Sequence, residues 1–493
     1  MKKILNKIKE FGIVETITLI IYICIVFIIA IHHECYEDET QSWLIARDLN
    51  PIQIFQQMKY EGHSVLWFYI LAPFAHLGFP VQTQVFITCI FAIATVFLVL
   101  KKSPFNKILK IAITFSAGMI YFYSVIARPY CMIPFFLVCI AILYKDRKKH
   151  AYAYAILLSL LANTHVIMLP TAILLMIDFW GKELLLKHKE QSKEDKRKLM
   201  ISLCILLIGI FIYVIIILQA IVNCQIVDNF NQMKNVSNIE IAVTLIKKAI
   251  KETISMLYGD SNVPVYYYII VLVSFILCIF GTIRNLKQGL IFWIQLFFTI
   301  FIHAFFWFIL PTRVFLVIYT LMFWIWIQKD MHKEKSKTKS LEIALIILIL
   351  ISMPSAYKLA YQDIVSGFST GKMMANYIEE NIPEGSIFVC VDPELQQSVI
   401  AYLKKDEYKF YMASTQKYVT YITWDDEWIN VSDPQKTEKI VEILKNKYKN
   451  VYILSINETN IPSNAQFLYS TKGQLIEDSI YVREEIYSIY EIG

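Results

Sequence analysis

The sequence predicts an α-helical polytopic membrane protein that carries a soluble α/β domain in its C-terminal region. Three observations predict it. Of the 493 residues, 57% are hydrophobic and 18% charged, with a mean hydropathy of +0.50, which is too apolar for a soluble chain of this size. Apolar runs recur that approach the ~20 residues needed, at ~1.5 Å rise each, to cross a hydrocarbon core of ~30 Å. From about residue 358 onward the pattern changes to short, alternating strand and helix signals. The expected division is therefore 1–357 for the membrane part, including a first external loop at 32–81, and 358–493 for the soluble domain.

Composition also excludes other classes. The formal net charge of +6 is modest, and the basic residues fall in short segments between apolar runs. That is a positive-inside pattern and not a nucleic-acid patch. The nine cysteines are dispersed without a CxxC pair, which argues against a disulfide framework and against a structural zinc site. The chain has no internal repeat, no P-loop and no GxGxxG.

Taken in order, Lys2, Lys3, Lys7 and Lys9 place the N-terminal end in the cytoplasm, and 13–31 runs outward as a retained span without a small-residue cleavage site. The acidic loop from Glu34 to Gln41 then lies outside, and 40–58 forms two short amphipathic helices. Residues 64–79 are apolar but short and contain Pro73. Crossing there would reverse the charge bias of several later loops, so they are expected to lie on the surface or re-enter. Spans follow at 82–100, 108–126, 130–144, 151–169, 170–181 and 199–221, with the basic run from Lys182 to Lys198 as the longest cytoplasmic loop. In 239–251, apolar residues recur at helical spacing opposite Lys247, Lys248 and Lys251, the mark of a helix lying on the membrane surface. Further spans are expected at 265–281, which ends near Arg284 and Lys287, and at 289–310, 314–328 and 340–356. The total is about eleven, and its parity places the C-terminal domain outside the cell membrane. In that domain, helices are expected at 370–380, 393–404 and 433–448, and strands at 386–391, 409–414, 418–424 and 451–456.

Chemistry concentrates at the outer ends of the spans. Asp38 and Glu39 are candidates for a general base, because a carboxylate serves as one when its neighbours tune it. A solvated acidic loop explains the same residues equally well. Arg128, at the end of the 108–126 span and fixed by Pro129, suits phosphate oxygens as a guanidinium fork, with a snorkelling Arg as the other reading. Asn163, Thr164 and His165 form a polar triplet that is costly in a span unless it faces protein or a cavity. His165 there is a ligand or simply a bond to a neighbouring helix. His303 and Arg313 divide in the same way between ligand and interfacial anchor. His32, His33 and His63 with Glu61 are the residues a divalent metal ion would use, although their spacing defines no tetrahedral set. Trp424-Asp425-Asp426-Glu427-Trp428 suits a carbohydrate, and equally a solvated strand end.

One order of features carries a family resemblance: a span, Asp38-Glu39, a helix with Ala46-Arg47, then Glu61-Gly62-His63 before an aromatic apolar helix. It resembles the GT-C glycosyltransferases, specifically bacterial relatives of the protein O-mannosyltransferases and of the aminoarabinose transferases (glycosyltransferase family 39-like). The resemblance covers roughly 10–350 and rests on few residues. It implies that Asp38 is the catalytic carboxylate with Glu39 beside it, and that Glu61 is a second acid of the site. Arg128 matches the family's Arg at the outer end of the third span, followed here by Pro129 and Tyr130. The acid that usually follows is missing until Asp146. The Ala-Arg-Pro-Tyr form looks like a subgroup whose substrates are mostly unassigned.

The resemblance further implies substrate-binding roles for His63, Arg128, Tyr130, Asn163, His165 and Arg313, and a polyprenyl-phosphate-linked sugar as donor. It also implies an envelope glycan, lipid or protein as acceptor, surrounding membrane lipid and no nucleic-acid partner. Two other classes stand beside it: a transporter or flippase of lipid-linked saccharides, which would favour inverted repeats and ionisable residues deep in the spans, and a non-catalytic envelope scaffold.

Overall fold

The computed structural model describes residues 11–187, 189, 191–224, 239–283, 286–306, 309–331, 338–392, 396–425, 434–456, 461–472 and 485–492. The chain divides into two compact units. The first comprises Met1–Ile31, Ile87–Ile216 and Val227–Ala360, and the second His32–Phe86, Ile217–Ile226 and Tyr361–Gly493. The first loop therefore groups with the C-terminal region and not with the spans among which it sits in sequence.

The first unit is helical, with no strand among its described residues. Across the chain, six described helices are long and apolar enough to cross a membrane: Ile13–His32, Thr83–Lys102, Lys193–Asn223, Val265–Ile283, Pro311–Met331 and the helix that begins at Lys339. Four more apolar helices are shorter: Leu66–His76, Pro129–Tyr144, Ala151–Ala162 and Gly289–Phe305. The expected total of about eleven thus exceeds what helix length alone supports. Two of the expected spans are broken at polar residues. The expected 108–126 span is an α-helix only over Lys107–Thr114. It ends where the Thr114 hydroxyl turns back to the Lys110 carbonyl and the Ser116 hydroxyl to that of Ile113, and a π-helical turn, Gly118–Phe122, follows. The expected 151–169 span stops at Ala162, where Asn163 and Thr164 bond back to the Ser159 and Leu161 carbonyls. The chain resumes as a helix at Leu169–Met176, with Pro170 in its first turn, where a missing N–H costs nothing.

The basic run from Lys182 to Lys198, expected as a loop, is largely helical. Ile177–Leu186 is π-helical, and the next helix already begins at Lys193. Arg284 lies outside the described residues. The expected surface helix at 239–251 extends over Ile239–Tyr258. Within Pro311–Met331 every residue from Ile318 to Gln328 is buried, as a helix apolar on all sides requires. Its Tyr319 hydroxyl bonds that of Ser116 at 2.7 Å. The last long helix, Lys339–Ser366, runs about ten residues past the expected end at 356 and passes through Pro354 without stopping.

The second unit joins three short helices of the first loop to a six-stranded sheet. Glu37–Asp48 and Pro51–Glu61 are the two helices expected after the first span, and the second starts at Asn50, whose side chain accepts from the Ile52 and Gln53 amides. That helix ends at Gly62, whose φ of 66° is a left-handed cap that a side chain would strain. Leu66–His76 is only 11 residues, about 16 Å of rise, which falls short of a hydrocarbon core.

The sheet contains β1 (Ile387–Cys390), β2 (Lys409–Met412), β3 (Lys417–Tyr418), β4 (Val451–Ile456), β5 (Ala465–Ser470) and β6 (Tyr487–Ile492). Its order is β3-β2-β1-β4-β6-β5, with β1 parallel to β2 and β4 and the other pairs antiparallel. The Pro434–Lys445 helix lays Ile440, Val441 and Leu444 on Ile387, Val389, Val451 and Ile453, which forms the core. The strands β1 and β4 read as continuous apolar runs because they are buried on both faces. The expected helix at 393–404 is reduced to Gln397–Ile400 among the described residues, and 418–424 contributes only the end of β3. β5 and β6 have no counterpart among the expected strands.

Candidate functional site

The candidate residues fall into two constellations, one in each unit. The first is organised by His33, immediately after the Ile13–His32 helix. Its Nδ1 lies 2.7 Å from Asp363 Oδ2, and its Nε2 lies 3.0 Å and 3.3 Å from the two oxygens of Glu39. All three side chains are fully buried. A neutral imidazole has one N–H, so donating from both ring nitrogens to carboxylates requires the imidazolium. Burial alone would lower its pKa. Against that, the charges of Asp363 and Glu39 and their hydrogen bonds raise it to about 10.

Glu39 is bound further. The backbone N–H of Tyr36 donates to its Oε2 at 3.0 Å, the returning half of a capping box at the start of the Glu37–Asp48 helix. Three acids in that first turn also suit the positive end of the helix dipole. The segment Glu37-Asp38-Glu39, expected as loop, is therefore the opening turn of a helix, and its members differ in role. Glu39 faces inward and holds His33. Asp38 is half-buried and accepts a long hydrogen bond, 3.4 Å, from the Tyr36 hydroxyl. The backbone N–H of Glu37 donates at 2.9 Å to Glu485, a buried carboxyl whose pKa is pushed up by that burial. Ser369 and Tyr487 also donate to Glu485.

Glu61, the last residue of Pro51–Glu61, accepts from the Gln41 side-chain amide at 2.9 Å. Gln41 is fixed in turn by both the N–H and the carbonyl of Ile422, each at 2.9 Å. Since Asp38 and Gln41 are three apart on one helix, they share a face, and Gln41 joins that face to Glu61. His63 follows the Gly62 cap and is half-buried. Among the described residues, no group of three or more His, Cys, Asp or Glu is arranged to hold a metal ion. The donor set anticipated for one does not fit, because both nitrogens of His33 already bond carboxylates and His32 points outward, exposed.

The second constellation lies in the helical unit. Arg313, in the turn Pro311–Val314, is 7% exposed and donates from Nε to the Tyr130 hydroxyl at 2.8 Å. That same hydroxyl is 3.2 Å from His165 Nε2, with the two rings 4.8 Å apart. The backbone N–H of Ile167 donates to His165 Nδ1 at 3.2 Å, so Nδ1 accepts and the ring proton sits on Nε2. Tyr130 oxygen thus accepts from an arginine and a histidine together. Arg128 is buried two residues away, where the Pro129–Cys131 turn begins. Tyr123 donates to the Thr312 carbonyl at 2.8 Å, which fixes the turn that carries Arg313.

Asn163 has a different use. Its side-chain nitrogen donates to the Ser159 and Gly209 carbonyls, both at 2.9 Å, and locks the Ala151–Ala162 helix to Lys193–Asn223. The close approach depends on Gly209, because a Cβ there would overlap Ser159. These two bonds give it a packing role beside the substrate-binding role expected from the sequence. His303 is buried in the Leu286–Phe305 helix. Trp424 and Asp425 are half-buried, while 426–428 lie outside the described residues.

The sequence alone does not single out Asp363, Gln41 or Glu485. Asp363 stands 330 positions from His33, past the expected end of the last span at 356 and before the first expected helix of the soluble domain. No protein-family model matches the chain, and no curated protein matches it either.

Proposed function

We propose that the chain is an integral-membrane glycosyltransferase of GT-C type. It moves a sugar from a polyprenyl-phosphate carrier to an envelope acceptor at the outer face, with the N-terminal end cytoplasmic and the C-terminal domain extracytoplasmic. The observation that carries the reading is the buried Arg313–Tyr130–His165 chain. A guanidinium buried in an apolar helical unit beside an imidazole N–H and a phenol is a donor set that suits the oxygens of a lipid phosphate.

In the proposed reaction the acceptor hydroxyl gives its proton to Asp38 as its oxygen attacks the anomeric carbon from the face opposite the phosphate. A glycosidic C–O bond forms with inversion. The bond from the anomeric carbon to phosphate oxygen breaks, and its electron pair leaves with the polyprenyl phosphate. Arg128, Arg313 and His165 stabilise that developing charge, with Tyr130 holding Arg313 and His165 in place. Glu61 orients the sugar or acceptor, His63 borders it, and Glu39 acts through His33 to set the helix on which Asp38 stands.

Membranes enriched in the protein and given a polyprenyl-phosphate sugar labelled in the sugar test the reading. Label is expected to pass to a non-lipid-carrier product without added nucleotide. Label that stays on the carrier contradicts it. A narrower prediction concerns Tyr130→Phe, which deletes the oxygen shared by Arg313 and His165 and takes one acceptor from each of two buried donors. KM for the donor is expected to rise about tenfold, the equivalent of ~1.4 kcal/mol, with a smaller change in kcat. Steady-state kinetics at varied donor concentration measure the split.

A further inference from the structure

The second unit contains a cleft of about 790 Å³ that shares no lining residue with the constellation around Asp38 and Glu61. Its walls are the segments 47–53, 75–82 and 401–405. A smaller cleft of about 350 Å³, bounded by 415–425, meets it at Asp48 and Leu49, which line both. Together they offer the volume of a ligand of roughly three sugar units.

The lining chemistry is mixed in a particular way. Arg47 forms a two-point pair with Asp48, at 2.9 Å and 3.1 Å, and Lys405 reaches the same carboxylate at 3.3 Å. Asp48 is therefore held ionised: burial raises its pKa, but the Arg47 hydrogen bond and charge outweigh this, with Thr420 and Lys405 adding to them, and the net shift is downward. Counting Lys404 and Lys417, four basic side chains line the clefts against two acids, Asp48 and Asp425. Two rings stand open to solvent there, Phe79 at 50% and Tyr418 at 54% exposure. The amides of Asn50, Gln53 and Gln82 line the larger cleft, and the hydroxyls of Thr415, Thr420 and Thr423 the smaller. Flat rings that stack on the C–H face of a pyranose, planar donors for its hydroxyls and a surplus of positive charge together suit an acidic sugar chain.

The smaller cleft is linked to the candidate acids through the chain itself, because Tyr421 lines it and Ile422 follows. The neighbouring Ile422 backbone holds Gln41, which donates to Glu61.

We propose that this groove binds a short anionic oligosaccharide and presents it as acceptor towards Glu61. The acceptor role rests on the transferase reading above, whereas the binding itself does not.

Calorimetric titration of the purified full chain in detergent, without donor, tests the binding. The probes are trigalacturonate and the neutral trisaccharide maltotriose. The variant is the double substitution Lys404→Gln and Lys405→Gln, at side chains 78% and 50% exposed whose loss spares the core. Trigalacturonate is expected to bind in the millimolar range or tighter, about tenfold better than maltotriose and about tenfold better than to the double variant. A second variant, Phe79→Ala, is expected to weaken both sugars. Absence of binding, equal binding of the two sugars, or binding unchanged by the double variant overturns the proposal. Because no donor is present, lost binding beside intact transfer removes the groove alone. Lysine-dependent binding beside absent transfer removes the transferase reading and leaves the groove standing.

Discussion

Asp38→Asn is expected to lower sugar transfer by about 10²- to 10⁴-fold while leaving the fold and membrane insertion unchanged. The magnitude is what a positioned general base contributes when its proton acceptor is removed and its shape kept. The selectivity follows from the geometry. Asp38 is half-buried and its bond from the Tyr36 hydroxyl is long, so an amide of equal size fits the same place. Glu39, its neighbour in the sequence, behaves in the opposite manner. Its carboxylate is fully buried on His33 and the Tyr36 backbone, and Glu39→Gln is expected to lose stability before any chemistry is reached. Circular dichroism and gel-filtration profiles of the two variants, compared with their transfer rates, separate the roles. An Asp38→Asn protein that keeps wild-type turnover sinks the assignment of the base.

His33→Ala is expected to destabilise the protein by about 3–5 kcal/mol, the cost of leaving buried charges without their counter-ion. Here Glu39 and Asp363 would both be left facing a cavity. The interaction also has a pH signature. The folded-state pKa of about 10 lies above that of an unfolded histidine, about 6.5, so the folded protein holds the extra proton. The contribution is complete below pH ~6.5, declines as pH rises through that window and is gone above pH ~10. Thermal midpoints of the purified protein between about pH 6 and about pH 10 should therefore fall for the native chain. His33→Gln, which has no proton to lose there, should show a flatter profile. Parallel profiles for the two proteins contradict the ion-pair account.

Much of the architecture was legible because it depends on local pattern. Val451–Ile456 is found where its apolar run places it, and the two short helices expected over 40–58 are found as Glu37–Asp48 and Pro51–Glu61. Span lengths were harder to read. Hydropathy does not register that the helices ending at Thr114 and Ala162 stop inside apolar runs. β5 and β6 escape a local reading because their antiparallel pairing, β6 with both β4 and β5, is set by tertiary contact.

The site shows the same limit. Asp38, Glu39 and Glu61 stand out as acids, but nothing local tells the inward Glu39 from the half-buried Asp38. His32 and His33 read together as a metal pair, yet one is exposed and the other is clamped between carboxylates from opposite parts of the chain. Asn163 also locks two helices, a use that depends on Gly209 of another helix and that no local pattern shows. Arg128, Tyr130, His165 and Arg313 are each legible one at a time, and it takes the fold to bring Arg313 and His165 onto the single oxygen of Tyr130.

Cleavage of the sugar–phosphate bond by the purified protein in detergent tests the central claim most directly, since a flippase has no membrane to work across and a scaffold has no chemistry to perform. With a polyprenyl-phosphate sugar and an acceptor mixture from the cell envelope, the native chain is expected to release polyprenyl phosphate over many turnovers. Asp38→Asn, at equal concentration, is expected to release almost none. Carrier that remains intact with the native protein, or that is cleaved equally by both, would contradict the account.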